Sequence, residues 1–109
     1  MVKVEITAAA KKDLQQIYRY LTMKTFSFEN NRKLRNSIRK ARDLLRTFPK
    51  SGMRELMLED IGEFRYIVVQ KHYKLIYTLR DDICYVVAVW DCRNNPSLLK
   101  GRFENRQNE

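Results

Sequence analysis

Three strand-like segments joined by very short links occupy the second half of this 109-residue chain. The segments are Phe64–Val69, His72–Leu79 and Ile83–Asp91, and the links Gln70-Lys71 and Asp81-Asp82 have the length of tight hairpin turns. Strands joined in this way pair antiparallel with their neighbours, so the region predicts a three-stranded meander. The last segment is apolar on both sides, which is typical of a central strand covered on both faces.

The first half of the chain predicts one short strand followed by two helices. Alternating Val2, Val4 and Ile6 indicate the strand, after which Thr7 is suited to cap a helix. Each helix has an apolar stripe at helical spacing: Leu14, Ile17, Tyr18 and Leu21 in the first, and Leu34, Ile38, Ala41, Leu45 and Phe48 in the second. Ser27 is the predicted cap of the second helix and Pro49 ends it. A short connection between them predicts an antiparallel helical hairpin.

Two segments are predicted to lack long regular elements. Residues 50–63 mix glycine with charge and predict a loop, with at most a short strand at Glu55–Leu58. Residues 97–109 are polar and predict a tail with at most a short helical turn around Ser97–Phe103. The expected fold is α+β in the order β-α-α-β-β-β: an antiparallel sheet with a two-helix hairpin packed on one face. The first strand adds to one edge, and residues 1–109 form a single domain.

The chain carries a large excess of positive charge, with 22 Lys and Arg against 13 Asp and Glu and a formal net charge of +9. Residues 26–50 hold eight of the basic residues and only two acidic ones. Such a concentration is typical either of a solvated helix face or of a surface that binds a polyanion. If it is a binding surface for nucleic acid or an acidic protein, its candidate residues are Arg35, Arg39, Arg42, Arg46 and, beyond the helix, Arg54.

Several classes of protein are disfavoured by the composition. No apolar run approaches the 18 or so residues of a membrane span, and the N-terminus lacks the apolar core of a signal peptide, so a cytoplasmic protein is expected. Cys84 and Cys92 have no Cys or His partners at zinc-binding spacing, and two cysteines do not make a disulfide framework. No metal or other cofactor is predicted.

The register of the predicted hairpins decides which side chains share a face. If Asp81-Asp82 is a two-residue turn, counting back places Lys74 opposite Val89 and His72 opposite Asp91. If Gln70-Lys71 is also a two-residue turn, Lys74 lies opposite Ile67, and Arg65 falls on the same face. Arg93 follows just beyond the last strand. The prediction is an open, shallow apolar face rimmed by Arg65, His72, Lys74 and Arg93, with the acid Asp91.

This cationic face has a plain and a functional interpretation. Its charges either keep a half-solvated sheet face soluble or hold a phosphodiester, stabilising negative charge that develops on phosphorus. His72, the only histidine, is a candidate base for a ribose 2′-OH because its ordinary pKa is near neutrality. A lone histidine opposite an acid is more often a structural partner, here of Asp91. Cys92 has no neighbouring base and is interpreted as a bystander.

Several motifs, in their order and spacing, resemble the RelE/ParE superfamily, the toxins of type II toxin–antitoxin systems. The similarity covers residues 2–96. It comprises Ala-x-x-Asp-Leu-x-x-Ile-x-x-Tyr from Ala10 to Tyr20, Leu-x-x-Phe-Pro from Leu45 to Pro49, and Gly-x-Phe-Arg from Gly62 to Arg65. Tyr-Lys-Leu-Ile-Tyr from Tyr73 to Tyr77 and the ending Val-x-Val-Trp-Asp-Cys-Arg-Asn-Asn-Pro from Val87 to Pro96 complete it.

The resemblance implies one of two activities, both neutralised by a cognate antitoxin that wraps the toxin. Members of the RelE branch cleave mRNA in the ribosome with basic residues on the sheet, and by that pattern Arg65, Lys74 and Arg93 are catalytic, with His72 as the candidate acid/base. Those nucleases usually carry a Tyr or His shortly after the last strand, which residues 94–109 lack. Members of the ParE branch share the fold without that residue and poison DNA gyrase.

The sequence therefore predicts a toxin that arrests growth, with ribosome-dependent mRNA cleavage as the first expectation and gyrase inhibition as its alternative. A toxin-fold protein that only binds nucleic acid or a protein partner is the third possibility. The resemblance makes the basic second helix a suitable surface for an acidic antitoxin segment or for ribosomal RNA.

Overall fold

A computed structural model describes residues 1–25 and 28–107. The elements in chain order are β1 (Lys3–Ile6), α1 (Ala8–Thr25), α2 (Phe28–Thr47), β2 (Met53–Arg54), a 3₁₀ helix (Leu56–Leu58), β3 (Arg65–Val69), β4 (Tyr73–Arg80), β5 (Ile83–Asp91) and α3 (Ser97–Gln107). The strands form one sheet in the order β1-β5-β4-β3-β2. The predicted α+β fold with a helical hairpin on one face is confirmed. The sheet is mixed, because β1 runs parallel to β5 while the other pairs are antiparallel.

The helical hairpin forms where the apolar stripes predicted it. Thr7 begins α1, and its Oγ1 accepts a hydrogen bond from the backbone N–H of Ala10 at 3.3 Å. The buried or partly buried stripes of both helices pack on the sheet, but Phe48 at the end of the second stripe is 60% exposed, because α2 ends at Thr47. The predicted cap Ser27 lies outside the described residues.

The face of the sheet under α1 and α2, called here the hairpin face, carries the larger core. Its buried strand residues are Val4, Val69, Tyr73, Leu75, Tyr77, Cys84, Val86 and Val89. The prediction that Tyr73, Leu75 and Tyr77 point towards the helices is confirmed. Tyr77 is fully buried, and its Oη accepts a hydrogen bond from the backbone N–H of Gly52 at 2.9 Å.

The opposite face of the sheet, called here the α3 face, is covered as well. Leu99 and Phe103 of α3 pack with Leu58, Ile76 and Ala88 in a second buried cluster. The prediction of a polar tail with at most one helical turn was wrong, because Leu99 and Phe103 lie four residues apart on one side of a helix and are both buried, although Leu98 is exposed. The centre of the sheet face that was predicted to be open is therefore covered by α3.

The register predicted for β3 was wrong by one residue. Val69 pairs with Tyr73, so the connection contains Gln70, Lys71 and His72 rather than two residues. Gln70 and Lys71 both have positive φ, and the His72 N–H donates to the Gln70 carbonyl at 2.7 Å. Because a shift of one residue moves every side chain of a strand to the other face, this turn alone inverts β3.

The register predicted for β5 holds only up to the middle of the strand. Asp81 and Asp82 form the predicted two-residue turn, both with positive φ, and the pairs from Arg80–Ile83 to Tyr77–Val86 follow from it. A bulge then leaves Val87 without a partner, and Ile76 pairs with Ala88. Beyond the bulge the strand is shifted by one residue.

The segment between α2 and β3 also differs from expectation. The short strand predicted at Glu55–Leu58 was wrong: the strand β2 lies just before it at Met53–Arg54, and Leu56–Leu58 form a turn of 3₁₀ helix. Glu55 caps this turn, since its side chain accepts a hydrogen bond from the Met57 backbone N–H at 3.3 Å. No helix in the described part of the chain is long and apolar enough to cross a membrane.

Candidate functional site

The corrected register separates the basic residues that were predicted to share a face. Lys74 pairs with Val68 and Trp90 and lies on the α3 face with Tyr66. Arg65 is one residue before Tyr66 in β3, so it lies on the hairpin face. The prediction of one face rimmed by Arg65, Lys74, His72 and Arg93 was therefore wrong in its geometry.

Lys74 is held in a partly buried ion pair. Its Nζ lies 2.6 Å from Oε2 of Glu55, and only 4% of the Glu55 side chain is exposed against 25% of the lysine side chain. The same Nζ lies 4.2 Å from the centroid of the Tyr66 ring, a cation–π distance. Because Glu55 also caps the 3₁₀ turn, the Glu55–Lys74 ion pair holds the segment after β2 against the centre of the sheet.

Arg65 is engaged with the backbone of the segment that follows α2. Its Nη1 donates to the carbonyls of Gly52 at 2.9 Å and Lys50 at 3.4 Å, and Nη2 lies 3.5 Å from Oε1 of Glu63. The first of these bonds lies beside the contact between Gly52 and Tyr77. Through these contacts, Arg65 stabilises the connection between α2 and β2.

Arg93 and Asp91 form a two-point ion pair where β5 ends. Nε of Arg93 donates to Oδ1 of Asp91 at 2.9 Å and Nη2 donates to Oδ2 at 2.8 Å. The backbone N–H of Arg93 also donates to Oδ1, at 2.9 Å. These bonds lower the pKa of the Asp91 carboxyl, with a further contribution from the charge of His72. The guanidinium remains half-exposed and is held in one orientation.

Tyr73 and His72 lie beside this ion pair. Tyr73 lies opposite Asp91 in the sheet, and the carbon at the centre of the Arg93 guanidinium is 6.0 Å from the centroid of its ring. Burial raises the pKa of the Tyr73 hydroxyl, while Arg93 acts in the opposite direction. The predicted pairing of His72 with Asp91 was wrong: His72 is exposed in the turn, and its carbonyl accepts a hydrogen bond from the backbone N–H of Cys92 at 2.7 Å.

The ion pair predicts a specific dependence of stability on pH. Because folding lowers the pKa of Asp91, its stabilising contribution is complete above the ordinary carboxyl pKa of 3.8 and is lost as the pH falls through the lowered value. We expect Asp91→Asn to be less stable than the unaltered protein at pH 7, and the difference to shrink below about pH 4. Urea unfolding at a series of pH values measures it. A difference that stays constant down to pH 2 would contradict the assignment.

Asp13 connects three elements at the free edge of β5. Strand β1 pairs with β5 only from Ile83 to Val86, so the later residues of β5 are not covered by β1. Oδ2 of Asp13, on α1, accepts a hydrogen bond from the backbone N–H of Val89 at 2.9 Å and another from Nη2 of Arg102, on α3, at 2.6 Å. Asp13 belongs to the first sequence motif, but its contacts depend on the bulge in β5 and on α3, and neither was predicted from the sequence.

Two adjoining pockets lie at this end of the sheet, and together they are called here the strand-end cleft. The first, of about 470 Å³, lies between α1, the end of β5 and Arg102. The second, of about 600 Å³, lies between α1, α2 and the turn that contains Lys71 and His72. Both are lined by Tyr20, Tyr73 and Arg93. The cleft therefore combines aromatic side chains with an oriented cation.

The basic side chains of α2 are partly engaged within the helix. Arg32 pairs with Glu29 and Arg46 with Asp43, each three residues apart. Arg35 lies over the Tyr18 ring, with its guanidinium carbon 3.9 Å from the centroid, and Arg39 donates to Asn36 at 2.8 Å. Exposed pairs of this kind contribute little to stability, so they do not explain the concentration of charge.

Two further residues of the predicted binding set, Arg42 and Arg54, differ in their surroundings. Arg42 is half-buried on α2, and Arg54, on β2, lies 3.3 Å from Glu59. The two cysteines are free thiols, Cys84 buried and Cys92 exposed, and burial raises the pKa of Cys84 to about 11.

Comparison with known proteins identifies a family and similar solved structures. The family described as "ParE toxin of type II toxin-antitoxin system, parDE" matches residues 4–96. A solved structure titled "Chromosomal ParDE TA system from P. aeruginosa" has a TM-score of 0.64 and 15% sequence identity, and the match covers 84% of this chain and 96% of that one. At this identity the likeness concerns the fold. No curated protein matches the sequence.

Proposed function

The chain belongs to the ParE toxin family of type II toxin–antitoxin systems, and from this premise we propose that it arrests growth by inhibiting DNA gyrase without cleaving RNA. The proposal places the chain in the ParE branch of the superfamily that its motifs resemble. As a toxin of this class it is paired with a cognate antitoxin.

The main support for this proposal is that the sheet face that a nuclease of the RelE branch would use is neutralised and covered. The charge of Lys74 is compensated by the buried carboxylate of Glu55 at 2.6 Å. Next to it, Leu99 and Phe103 of α3 cover Ile76 and Ala88. A face with its central lysine paired and its apolar floor covered offers little to a phosphodiester, which needs free cations at the point where charge develops.

Ribosome-dependent mRNA cleavage is the second candidate, and the strand-end cleft is the observation that favours it. Arg93, His72 and the Tyr73 hydroxyl lie near one another at its rim, where they could supply a cation and a proton-transfer group. In that case Arg93 and His72 are the catalytic pair. Arg65 and Lys74, also predicted as catalytic, would support the sheet around them.

For the antitoxin we propose the basic side of α2 and the neighbouring edge of the sheet as the contact surface. Arg35, Arg39, Arg42 and Arg46 lie along one helix, and Arg54 lies on β2. A row of guanidinium groups suits an acidic segment, because arginine pairs with carboxylates at two points. The expected partner segment is therefore acidic.

Two readouts on the purified protein separate the candidate functions. We expect it to inhibit supercoiling of relaxed plasmid by gyrase and to increase the fraction of cleaved DNA, while mRNA on translating ribosomes stays intact. Induced expression should arrest growth with signs of DNA damage. Rapid mRNA cleavage with unaffected gyrase would overturn the proposal in favour of the nuclease.

Matched arginine variants sharpen this experiment. Arg93→Gln removes the cation shared by both pockets of the strand-end cleft, whereas Arg32→Gln removes an exposed arginine of α2 that is likewise paired with a carboxylate. Loss of mRNA cleavage in the first variant only would identify the nuclease site. Absence of growth arrest and of both activities would leave a protein that only binds, and would contradict the toxin proposal.

A further inference from the structure

Tyr20 is an exposed aromatic side chain at the boundary of two pockets. It lies on α1 outside the buried stripe of that helix, and 51% of its surface is accessible. The two pockets of the strand-end cleft meet along Tyr20, Tyr73 and Arg93. Each is within the range of a few hundred Å³ that small ligands occupy, so the pair has room for two linked groups.

Arg93 gives this cleft an anchor for an anion. Asp91 engages its Nε and Nη2, so the guanidinium is oriented in advance and Nη1 is left for the Tyr73 hydroxyl or for an incoming acceptor. The group is 53% exposed, which leaves it within reach of a ligand. A guanidinium that is held in one orientation loses little entropy when it binds a phosphate.

The rest of the lining suits a nucleobase. The carboxamides of Gln16 and Asn94 lie in the first pocket, where they can donate to and accept from a base edge. Lys71 and His72 lie in the second pocket. The two carboxylates of the first pocket are each paired with an arginine, Asp13 with Arg102 and Asp91 with Arg93, so they do not present free negative charge.

An extended peptide suits the cleft less well. It would add to the free edge of β5 through backbone hydrogen bonds, but the backbone N–H of Val89 on that edge already donates to Asp13 at 2.9 Å. The side chain of Asp13 is also fixed there by Arg102 at 2.6 Å. Stacking on Tyr20 needs no such edge.

We propose that the strand-end cleft binds a short single-stranded segment of nucleic acid, with a base stacked on Tyr20 and an adjoining phosphate on Arg93. Base stacking on an aromatic side chain tolerates any base, so binding is expected with little sequence preference. This inference does not depend on whether gyrase or the ribosome is the target. It adds a ligand class that the gyrase proposal leaves unassigned, and it deepens the nuclease alternative by assigning the base-stacking role to Tyr20.

The single tryptophan of the chain, Trp90, lines the first pocket and reports on it directly. Titration with eight-nucleotide oligothymidylate and oligouridylate is expected to change Trp90 fluorescence, and the two oligomers distinguish DNA from RNA as the preferred source. Tyr20→Ala should weaken binding about tenfold or more, and Tyr20→Phe should preserve it. Arg93→Gln should weaken binding and reduce its dependence on salt.

The control is Tyr85→Ala. Tyr85 is another partly exposed tyrosine, but it lies near the opposite end of β5, opposite Glu5 of β1. The Tyr85→Ala substitution should leave oligomer binding unchanged. The inference is overturned if neither oligomer changes the fluorescence, if Tyr85→Ala weakens binding as much as Tyr20→Ala, or if only an octaglutamate peptide binds. A protein that arrests growth but does not bind the oligomers would contradict this inference alone. A protein that binds the oligomers but does not arrest growth would contradict the toxin proposal alone.

Discussion

Replacing Lys74 with alanine is expected to lower the free energy of unfolding by about 3 kcal/mol. The variant leaves the carboxylate of Glu55, which is 4% exposed, without its partner at 2.6 Å. It also removes the cation above the Tyr66 ring. A buried carboxylate that has lost its counter-charge is left uncompensated away from water, which is costly. Urea unfolding monitored by circular dichroism measures the loss.

Two further variants test whether the cost arises from the ion pair. Lys33→Ala removes an exposed lysine of α2 and should change stability by no more than about 0.5 kcal/mol. Combining Lys74→Met with Glu55→Gln removes both charges and should recover much of the loss, because the buried charge disappears with its partner. A Lys74→Ala protein of full stability that has lost activity would instead show that Lys74 acts directly in function.

This prediction changes how a loss-of-function result at Lys74 is interpreted. The family resemblance makes Lys74 a catalytic candidate, and an inactive Lys74→Ala protein would agree with that. The ion pair with Glu55 predicts the same inactivity through instability. Stability and activity therefore have to be measured on the same variants.

The α+β architecture was predictable because its signals are local. The stripe from Leu14 to Leu21 repeats with the period of a helix, and Thr7 caps that helix as its side-chain chemistry favours. The turn Asp81-Asp82 requires positive φ at both residues, and aspartate tolerates this conformation better than most residues. Each of these features depends on residues within one or two turns of the chain.

The faces of the sheet were not predictable to the same extent, because register propagates. One extra residue in the turn, His72, inverts β3, and one unpaired residue, Val87, shifts the second half of β5. The bulge leaves both Val87 and Ala88 packed on the α3 side, in the cluster that contains Leu99 and Phe103. Both β3 and β5 have apolar residues at consecutive positions, so that either face of each strand could be the buried one. The hydrophobic pattern therefore fits more than one register.

The structure brings together only some of the residues that were predicted to share one face. Arg93 and His72 do line one cleft, as their positions near the ends of adjoining strands suggest. Lys74 instead pairs with Glu55, which lies 19 residues earlier and comes close only through the β2–β3 pairing. A partner brought in by long-range pairing leaves no signal at short sequence spacing.

The second large effect is expected at Gly52, where an added methyl group has no room. A Cβ atom there would lie 2.6 Å from Oη of Tyr77, 2.8 Å from its Cε1 and 2.7 Å from the backbone carbonyl oxygen of Tyr66. Tyr77 is fully buried and cannot move aside without disturbing the hairpin face. We expect Gly52→Ala to lower the free energy of unfolding by about 3 kcal/mol, through overpacking and through loss of the bond from the Gly52 N–H to Tyr77.

Gly101→Ala is the matched control, because it makes the same substitution where nothing lies within 4 Å of the new Cβ. Gly101 is inside α3, so alanine should stabilise the protein by about 0.5–1 kcal/mol through its higher helix propensity. The opposite signs of the two variants in urea unfolding would distinguish the steric cause from a general effect of the extra methyl group. In a Tyr77→Phe background, Gly52→Ala should cost less, since the closest of the three contacts and the hydrogen bond are both absent. Equal costs in both backgrounds would place the strain on the Tyr66 carbonyl instead.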